Sequence, residues 1–455
     1  MGDVPQLNTD ETFRVRRPVV SELGRSNGWF RSVVQALPAA SRLMPIGYSF
    51  VDQALAVGAT FLANVMLART QTKEEYGMFA LSYSLFTFLA GLHNSALLEP
   101  CTVYASGRYR NRFSEYLRLM VRINTFVGLL LSMVVVLVCL VFYWAAPQYV
   151  SRALLGLGLT VGVLLSGSFL RRVFYLQRQP AFAAQASLIC FVTVACALSL
   201  VARAHLLNGF SVFMILALGW IAAGLGLGRK LNLGRPGPSF LDLEPNYWGE
   251  HWKYSKWVLC TAFVFQLTTQ GYYWIVAGFV SVKDVAGLRA MQMLVGPMDQ
   301  VFIALSFLVL PALAARYASN RMGNFLAFSR RYVLAVVTAT ALFALAVRLV
   351  GKPVMHWLYA GKFDELTPML YLLAFLPLVM GIGNTMNDAL KAAEHPKMVF
   401  YAYVCSGATT LLGGIPLVIR FGLFGAVYGM FLSAAAYTSA LTVGYFSTIY
   451  LKARH

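Results

Sequence analysis

Ionisable and amide side chains interrupt several long apolar stretches of this 455-residue chain, and they are the residues that could do chemistry. Gln266 and Gln270 lie one helical turn apart, so a helix would present both side chains on one face. Arg289 and Asp299 share a face of the next apolar stretch. A charge in apolar surroundings is costly unless it is paired or hydrated. The spacing therefore predicts that the two faces line one polar interior space.

The composition places these side chains in a membrane. Residues are 58% apolar and only 12% charged, and the mean hydropathy is +0.64. Twelve apolar runs are long enough, as helices rising about 1.5 Å per residue, to cross a hydrocarbon layer of about 30 Å. They cover residues 46–68, 77–105, 119–145, 153–176, 181–202, 209–228, 255–280, 286–315, 326–350, 366–392, 398–419 and 422–450. We therefore expect an all-α integral membrane protein with about 12 transmembrane helices.

The basic residues predict the orientation of these helices. Of the 37 lysines and arginines, 27 fall on the side of the N-terminus, 9 on the opposite side, and Arg289 within a span. Cytoplasmic loops carry the excess of positive charge, so both termini are predicted to be cytoplasmic in a multi-pass protein of the inner membrane. The net charge of +19 lies between apolar runs, so we expect no nucleic-acid partner.

The chain contains an internal repeat. The stretch Leu67–Leu81 aligns with Ala277–Met291 at an offset of 210, matching a lysine, an acid and a glycine. The matched pairs are Lys73 with Lys283, Glu74 with Asp284, and Gly77 with Gly287. Such duplication is typical of transporter cores built from two related halves.

The repeat and the spacing of the spans predict the domain organisation. Residues 1–45 form a cytoplasmic tail, either disordered or a surface helix, and residues 46–228 an N-terminal six-helix bundle. Residues 229–254 form a cytoplasmic linker, and residues 255–455 a C-terminal six-helix bundle. We call residues 46–228 and 255–455 the N-terminal half and the C-terminal half.

Several polar residues within the spans have two interpretations. Asp52 is either a boundary residue or a cavity carboxylate that binds a cation or proton, and Asp299 either faces an aqueous cavity or bonds to a neighbouring helix. Asp388 precedes Lys391 by three residues, which favours a local ion pair. His93 is more typical of a hydrogen-bonded packing residue than of a proton relay.

We expect no cofactor and no metal site. The six cysteines fall in or beside apolar spans, without CxxC pairs or nearby histidines, and are expected to be buried. No GxxxxGK[ST] nucleotide-binding loop occurs in the sequence.

The stretch FVDQALAVGATFLANVMLAR, followed by EEYGMFAL, carries a resemblance to a known family. Its characteristic positions are Gln53, Asn64, Leu67 to Arg69, and Glu75-Tyr76-Gly77. In these positions the chain resembles polysaccharide (O-antigen type) flippases of the multidrug/oligosaccharidyl-lipid/polysaccharide exporter superfamily. The resemblance implies two pseudo-symmetric six-helix bundles around a central cavity, a MATE-like fold. It also implies a transporter, not an enzyme, that flips a polyprenyl diphosphate-linked oligosaccharide outward for surface polysaccharide synthesis, such as lipopolysaccharide or exopolysaccharide.

On this interpretation polar residues of the spans divide into two roles. The residues expected to bind substrate are Arg122, Arg171, Arg172, Arg289, Gln266, Gln270 and Asn64. Asp52 and Asp299 are expected to couple transport to Na⁺, H⁺ or the membrane potential. The resemblance also implies that relatives that flip the peptidoglycan precursor have arginines deep in the cavity. Here spans one, two and seven carry no arginine or lysine at mid-depth. Expected partners are the lipid-linked substrate, membrane lipids and other polysaccharide-assembly membrane proteins.

Two other functions fit parts of the pattern. A cation-coupled drug exporter of the same superfamily would share the spans and the repeat. Membrane glycan polymerases and ligases resemble one another in having a large outward loop. The outward loops predicted here are short, and the longest lies near Gly351 to Glu365.

Overall fold

The computed structural model describes residues 40–142, 148–231, 233, 247–319 and 322–450. Within these residues the chain is almost entirely helical and no strand occurs. The α-helices are α1 Ala40–Thr70, α2 Lys73–His93, α3 Glu99–Ser106, α4 Phe113–Phe142, α5 Gln148–Leu176, α6 Pro180–Arg203, α7 Gly209–Leu227, α8 Tyr247–Phe279, α9 Val282–Val295, α10 Pro297–Ala318, α11 Met322–Tyr359, α12 Thr367–Leu373, α13 Leu376–Ala392, α14 Pro396–Thr409 and α15 Ile415–Tyr445. Most of the predicted tail and most of the predicted linker lie outside the described residues.

The predicted spans fall on helical backbone. In the described ranges, nine helical segments are long and apolar enough to cross a membrane by themselves. One of them, Pro396–Tyr450, contains two predicted spans that part at Gly422, where φ is 58° and ψ is −133°. The remaining two predicted spans lie on α2 with α3 and on α8, which carry more polar and aromatic side chains. The prediction of an all-α membrane fold is confirmed.

Side-chain caps start the two matched turns of the repeat. The Thr72 hydroxyl accepts a hydrogen bond from the backbone N–H of Glu75 at 3.2 Å and starts α2. The Ser281 hydroxyl accepts from the N–H of Asp284 at 3.2 Å and starts α9. Each cap satisfies a backbone donor that the first helical turn leaves free. The second copy carries one more residue between cap and lysine, so the repeat is similar in design but not in exact register.

The contacts between helices form two groups. Helix α5 packs on α4 and α7, and α6 packs on α7. Helix α15 packs on α13 and α14, while α10 and α11 pack on α13. The two groups meet where α2 contacts α8 and α9. This grouping follows the two predicted halves, whose exact boundaries stay a prediction.

Some helix faces are apolar and exposed. On α4, Phe126, Leu129 and Met133 lie along one face and are 67%, 66% and 55% exposed. Such a surface suits a hydrocarbon environment and would be unfavourable in water. Three cysteines that we expected to be buried are also exposed, because their positions lie on outward helix faces: Cys196, Cys260 and Cys405.

Candidate functional site

The motif that carries the family resemblance joins helices. The Glu75 carboxylate (Oε1) accepts a hydrogen bond from the backbone N–H of Gly209 at 2.7 Å, where α7 begins. Tyr76 is completely buried. A Cβ atom on Gly77 would lie 2.0 Å from the carbonyl oxygen of Val282, so only glycine permits this approach of α2 to α9. The motif therefore positions the helices around the site.

Beside this motif, charged side chains connect the two halves at the end predicted to face outward. Lys73 forms a salt bridge with Glu365 at 2.5 Å, and Lys283 forms one with Glu74 at 3.0 Å. Lys283 thereby lowers the pKa of the Glu74 carboxyl. Both bridges cross from one half to the other, so the matched lysines of the repeat each hold a residue of the opposite half.

Two further cations complete this group. The Lys362 ammonium donates to the carbonyl oxygens of Gln71 at 2.6 Å and Ala68 at 3.2 Å, near the C-terminal end of α1. Partial burial lowers the pKa of Lys362. Arg69 donates to the Trp357 carbonyl oxygen at 3.3 Å. We call Arg69, Lys73, Glu74, Lys283, Lys362 and Glu365 the outer-end cluster; it holds the halves together at this end.

Below the outer-end cluster, Arg289 of α9 lies where the halves meet. Its Nε donates to the Asn64 side-chain oxygen of α1 at 3.1 Å. Its Nη1 lies 3.4 Å from the Tyr273 hydroxyl of α8, and the guanidinium lies 4.7 Å from the ring centre of Tyr83 on α2. Tyr273 in turn donates to the Gln292 side chain. Side chains of three helices, α1, α2 and α8, thus hold the guanidinium that α9 supplies.

In the part of the chain that the structure describes, the hydrogen-bond and ring partners of Arg289 are all electrically neutral. Among the described residues it forms no salt bridge, and its side chain is largely enclosed by Asn64, Tyr83 and Tyr273. An enclosed cation without a counter-charge is unfavourable, and a guanidinium has five N–H donors in a planar fork. We call Arg289, Asn64, Tyr83 and Tyr273 the Arg289 site. It can accept an anion such as a phosphate oxygen.

The predicted amide residues of α8 lie on the same seam between halves. The Gln266 amide nitrogen lies 1.8 Å from the position that a Cβ of Gly91 would take, so the side chain packs directly on α2. Thr269 donates to Gln266 at 3.5 Å. Gln270 is half-buried. Gln266 therefore lies at the contact between α8 and α2, and the binding role of the two amides stays a prediction.

Asp52 and Arg171 form a second polar centre, the Asp52 site, together with Tyr175 and Ser187. Arg171 donates to both carboxylate oxygens of Asp52, with Nε–Oδ1 at 2.9 Å and Nη2–Oδ2 at 2.8 Å. The Tyr175 and Ser187 hydroxyls donate to the same carboxylate at 2.7 and 2.5 Å. Asp52 is completely buried. The carboxylate and the guanidinium therefore satisfy each other, although we expected them to serve different ligands.

Asp299 differs from Asp52 in having an exposed carboxylate. Gln53, beside Asp52, donates from Nε2 to the side-chain oxygen of Gln300 at 3.2 Å and links α1 with α10. Asp299, next to Gln300 on α10, is exposed. Its two interpretations, a cavity-facing carboxylate and a bond to a neighbouring helix, stay predictions.

The other predicted arginines are dispersed. Arg172 donates to the Asn94 side chain at 3.1 Å, at the π-helical turn Asn94–Leu98. Arg122 is exposed on the same face of α4 as Phe126 and Leu129. The structure brings Arg171 together with Asp52 and Arg289 with Asn64, but it leaves Arg122 apart from both.

Asp388 contacts neutral hydroxyl groups. Ser306 donates to Oδ1 at 2.8 Å and Tyr332 to Oδ2 at 3.1 Å, and Asp388 is buried. No salt bridge joins it to Lys391, which is exposed, so the expected local ion pair is wrong. The carboxylate bonds instead to hydroxyl groups that α10 and α11 supply.

Sequence reasoning also missed the partners of these charges. Tyr83, Tyr175 and Ser187 carry no pattern that marks them as ligands of a charged group. The one available signal was the repeat, because its two lysines both became cross-half contacts.

Comparison with known proteins gives a fold. No protein-family model matches the sequence, and no curated protein matches it. An inward-facing multidrug resistance MATE family transporter of the MOP superfamily is similar over 89% of this chain and 98% of its own, with 10% identity and a TM-score of 0.72. An outward-facing MATE family transporter is similar over 90% of this chain and 96% of its own, with 8% identity and a TM-score of 0.65.

A third similar structure is the lipid II flippase MurJ in an inward closed conformation. It matches 90% of this chain and 89% of its own length, with 11% identity and a TM-score of 0.65. Identities this low establish the fold and leave the activity to be argued from the site. The two MATE family transporters belong to the superfamily that residues 46–81 resemble. The chain therefore has the MATE-like membrane fold of the MOP superfamily transporters.

Proposed function

We propose that this protein is a transporter that flips a polyprenyl diphosphate-linked oligosaccharide from the cytoplasmic to the outer leaflet of the inner membrane. The observation that carries the proposal is the Arg289 guanidinium, which is largely enclosed between the halves and has only neutral partners. A diphosphate supplies the missing negative charge and matches the fork of guanidinium donors. Surface polysaccharide biosynthesis is the process that requires such a substrate.

The aromatic and amide groups around Arg289 support the same substrate. Tyr83 is half-buried and lies with its ring face against the guanidinium, and Gln270 is a half-buried amide on the same seam, whereas Asn64 and Tyr273 are buried and hold the guanidinium. Sugars are polar on their rims and apolar on their faces, so this mixture suits a saccharide next to the diphosphate. The site binds and positions the substrate, and we propose no catalytic step.

The outer-end cluster supports alternating access. Its salt bridges and backbone contacts join the halves at one end, and the inward-facing neighbour has a higher TM-score than the outward-facing one, 0.72 against 0.65. We propose that these contacts separate when the transporter opens outward and releases its lipid. We assign coupling to Asp299, whose carboxylate is exposed, because Asp52 is already paired with Arg171.

The test uses a host strain from which the gene is deleted. We expect the deletion to cause accumulation of lipid-linked oligosaccharide and loss of surface polysaccharide. The wild-type chain should reverse both defects, whereas Arg289→Ala and Asp299→Ala should reverse neither. Arg420→Ala, an exposed arginine above the Phe421 ring, is the matched control and should restore both. Full restoration by Arg289→Ala and Asp299→Ala would remove the site assignment.

A cation-coupled drug exporter is the second candidate, because multidrug MATE transporters share the fold. The Arg289 site counts against it, since an enclosed arginine repels a cationic drug. Sensitivity of the deletion strain to cationic dyes, with normal polysaccharide, would favour the exporter over the flippase.

A further inference from the structure

A groove on the C-terminal half lies outside the sites described so far. It has a volume of about 460 Å³ and lies between α11 and the segment from α12 to Phe375. Its lining is mostly apolar, from Ala341, Leu345, Leu372 and Phe375. Because both walls belong to the C-terminal half, the groove is separate from the seam that contains Arg289.

One cation stands in this apolar lining. The Arg348 guanidinium lies 4.5 Å from the ring centre of Tyr371, and the side chain is exposed. Among the described residues it forms neither a hydrogen bond nor a salt bridge, so its N–H donors are available to a ligand. Lys352, one helical turn further along α11, is also exposed and adds a second positive charge.

The acidic residues at this end of α11 are already occupied. Asp364 accepts from His356 at 2.6 Å, and Glu365 is bridged to Lys73. Neither carboxylate bonds to Arg348, so the groove offers an apolar channel with a basic end. That combination is complementary to a molecule with one anionic head and an alkyl chain.

We propose that the groove binds one anionic phospholipid of the bilayer. The phosphate accepts hydrogen bonds from Arg348, and one acyl chain lies along Ala341, Leu345, Leu372 and Phe375. Arg348 belongs to the end of α11 predicted to face outward, so the lipid comes from the outer leaflet. The transported lipid is a less suitable occupant, because only one half lines the groove.

Native mass spectrometry of the purified full chain tests the proposal. Phosphatidylglycerol and phosphatidylcholine with identical acyl chains are titrated into wild type, Arg348→Gln and Arg420→Gln. We expect wild type to bind one phosphatidylglycerol more tightly than phosphatidylcholine. Arg348→Gln should weaken phosphatidylglycerol binding about fivefold, the effect of about one basic residue on an anionic lipid, and Arg420→Gln should not.

A second variant and a competitor address the acyl chain. Ala341→Trp places a large side chain in the groove at an exposed position and should weaken binding of the lipid without unfolding the protein. Equal binding of both phospholipids, or binding unchanged in Arg348→Gln and Ala341→Trp, would overturn the proposal. Displacement of phosphatidylglycerol by equimolar polyprenyl phosphate would assign the groove to the transported lipid instead, also against the proposal.

Discussion

Two arginines illustrate two ways in which this protein holds a charge inside a membrane. Arg171 faces Asp52 in a nearly closed network of donors and acceptors, whereas Arg289 faces an amide, a hydroxyl and an aromatic ring. Asn64 follows Asp52 by twelve residues on α1, which places the two sites about 18 Å apart along the helix axis. A paired charge stabilises the fold locally, while an unpaired one is available to an anionic ligand.

The comparison separates structural from binding roles. Breaking a buried ion pair leaves one charge unsatisfied and destabilises the protein, whereas removing a lone buried charge relieves a desolvation penalty. Loss of stability and loss of transport should therefore separate between the two sites. The following variants test that separation, beginning with the largest expected effect.

Asp52→Asn should be the most damaging single change, because it leaves the Arg171 charge without a counter-ion. We expect a loss of about 3–5 kcal/mol in the free energy of unfolding, measured by thermal or denaturant unfolding in detergent. The double variant Asp52→Asn/Arg171→Gln should recover much of that loss. If Asp52→Asn instead unfolds like wild type and loses only ion dependence, Asp52 is a coupling residue, as its second interpretation holds.

Arg289→Gln should show the opposite result. Transport of a labelled lipid-linked diphosphate in proteoliposomes should fall roughly a hundredfold, because about 3 kcal/mol of charge-assisted hydrogen bonding is lost. The unfolding free energy should stay the same or rise. Arg420→Gln serves as the control for removal of one positive charge. Wild-type transport by Arg289→Gln would end the distinction between the two arginines.

Asn64→Asp would make the Arg289 site resemble the Asp52 site. A carboxylate in place of the amide that bonds Arg289 at 3.1 Å supplies an internal counter-ion. We expect transport to fall about tenfold, the equivalent of about 1.4 kcal/mol, since the substrate phosphate must displace that carboxylate. Asn64→Gln keeps the site neutral and is the matched variant. Unchanged substrate affinity in Asn64→Asp would show that Arg289 does not bind the anion.

The outer-end cluster should give the smallest effects. Lys283→Gln removes one exposed salt bridge and should lower the free energy of unfolding by less than about 1 kcal/mol. It should also shift the protein towards outward opening, measured as faster labelling of a cysteine placed near Gln71. Because Lys283 lowers the pKa of Glu74 below its ordinary 4.5, the bridge contributes at neutral pH and is lost as the pH falls through that lowered value. If neither Lys283→Gln nor a lower pH changes the rate of cysteine labelling, the contacts of Lys362 and not the Lys283–Glu74 bridge keep the outer end closed.

The sequence predicted most of the fold because membrane helices are encoded locally. A run of about twenty apolar residues must satisfy its backbone internally, so length and hydropathy were sufficient to locate the spans. The repeat pointed to Lys73 and Lys283 before their contacts were known. The same local pattern could not reveal the exact register of the repeat, since cap position depends on a single side chain.

For the candidate site residues, the sequence indicated which side chains are polar within the spans but not which partners they contact. Gln266 contacts α2 and Arg289 bonds to α1, so both lie where the halves meet, while the cavity-facing position of Asp299 stays a prediction. Arg122 faces outward because it lies on the exposed face of α4. The periodicity of one helix shows which residues share a face, but it does not show which face points towards the other helices. The predicted pair of Asp388 and Lys391 was wrong because the partners of Asp388 come from two other helices, α10 and α11.

By itself the sequence determined that this chain crosses a membrane many times, that its core is duplicated, and that ionisable groups lie within its spans. Tertiary structure decided which of those groups are paired. Asp52 and Arg171 are 119 positions apart, and Asn64 and Arg289 are 225 apart. The difference between a closed ion pair and an arginine with neutral partners depends on atoms brought together by helix packing, and no local pattern encodes that distance.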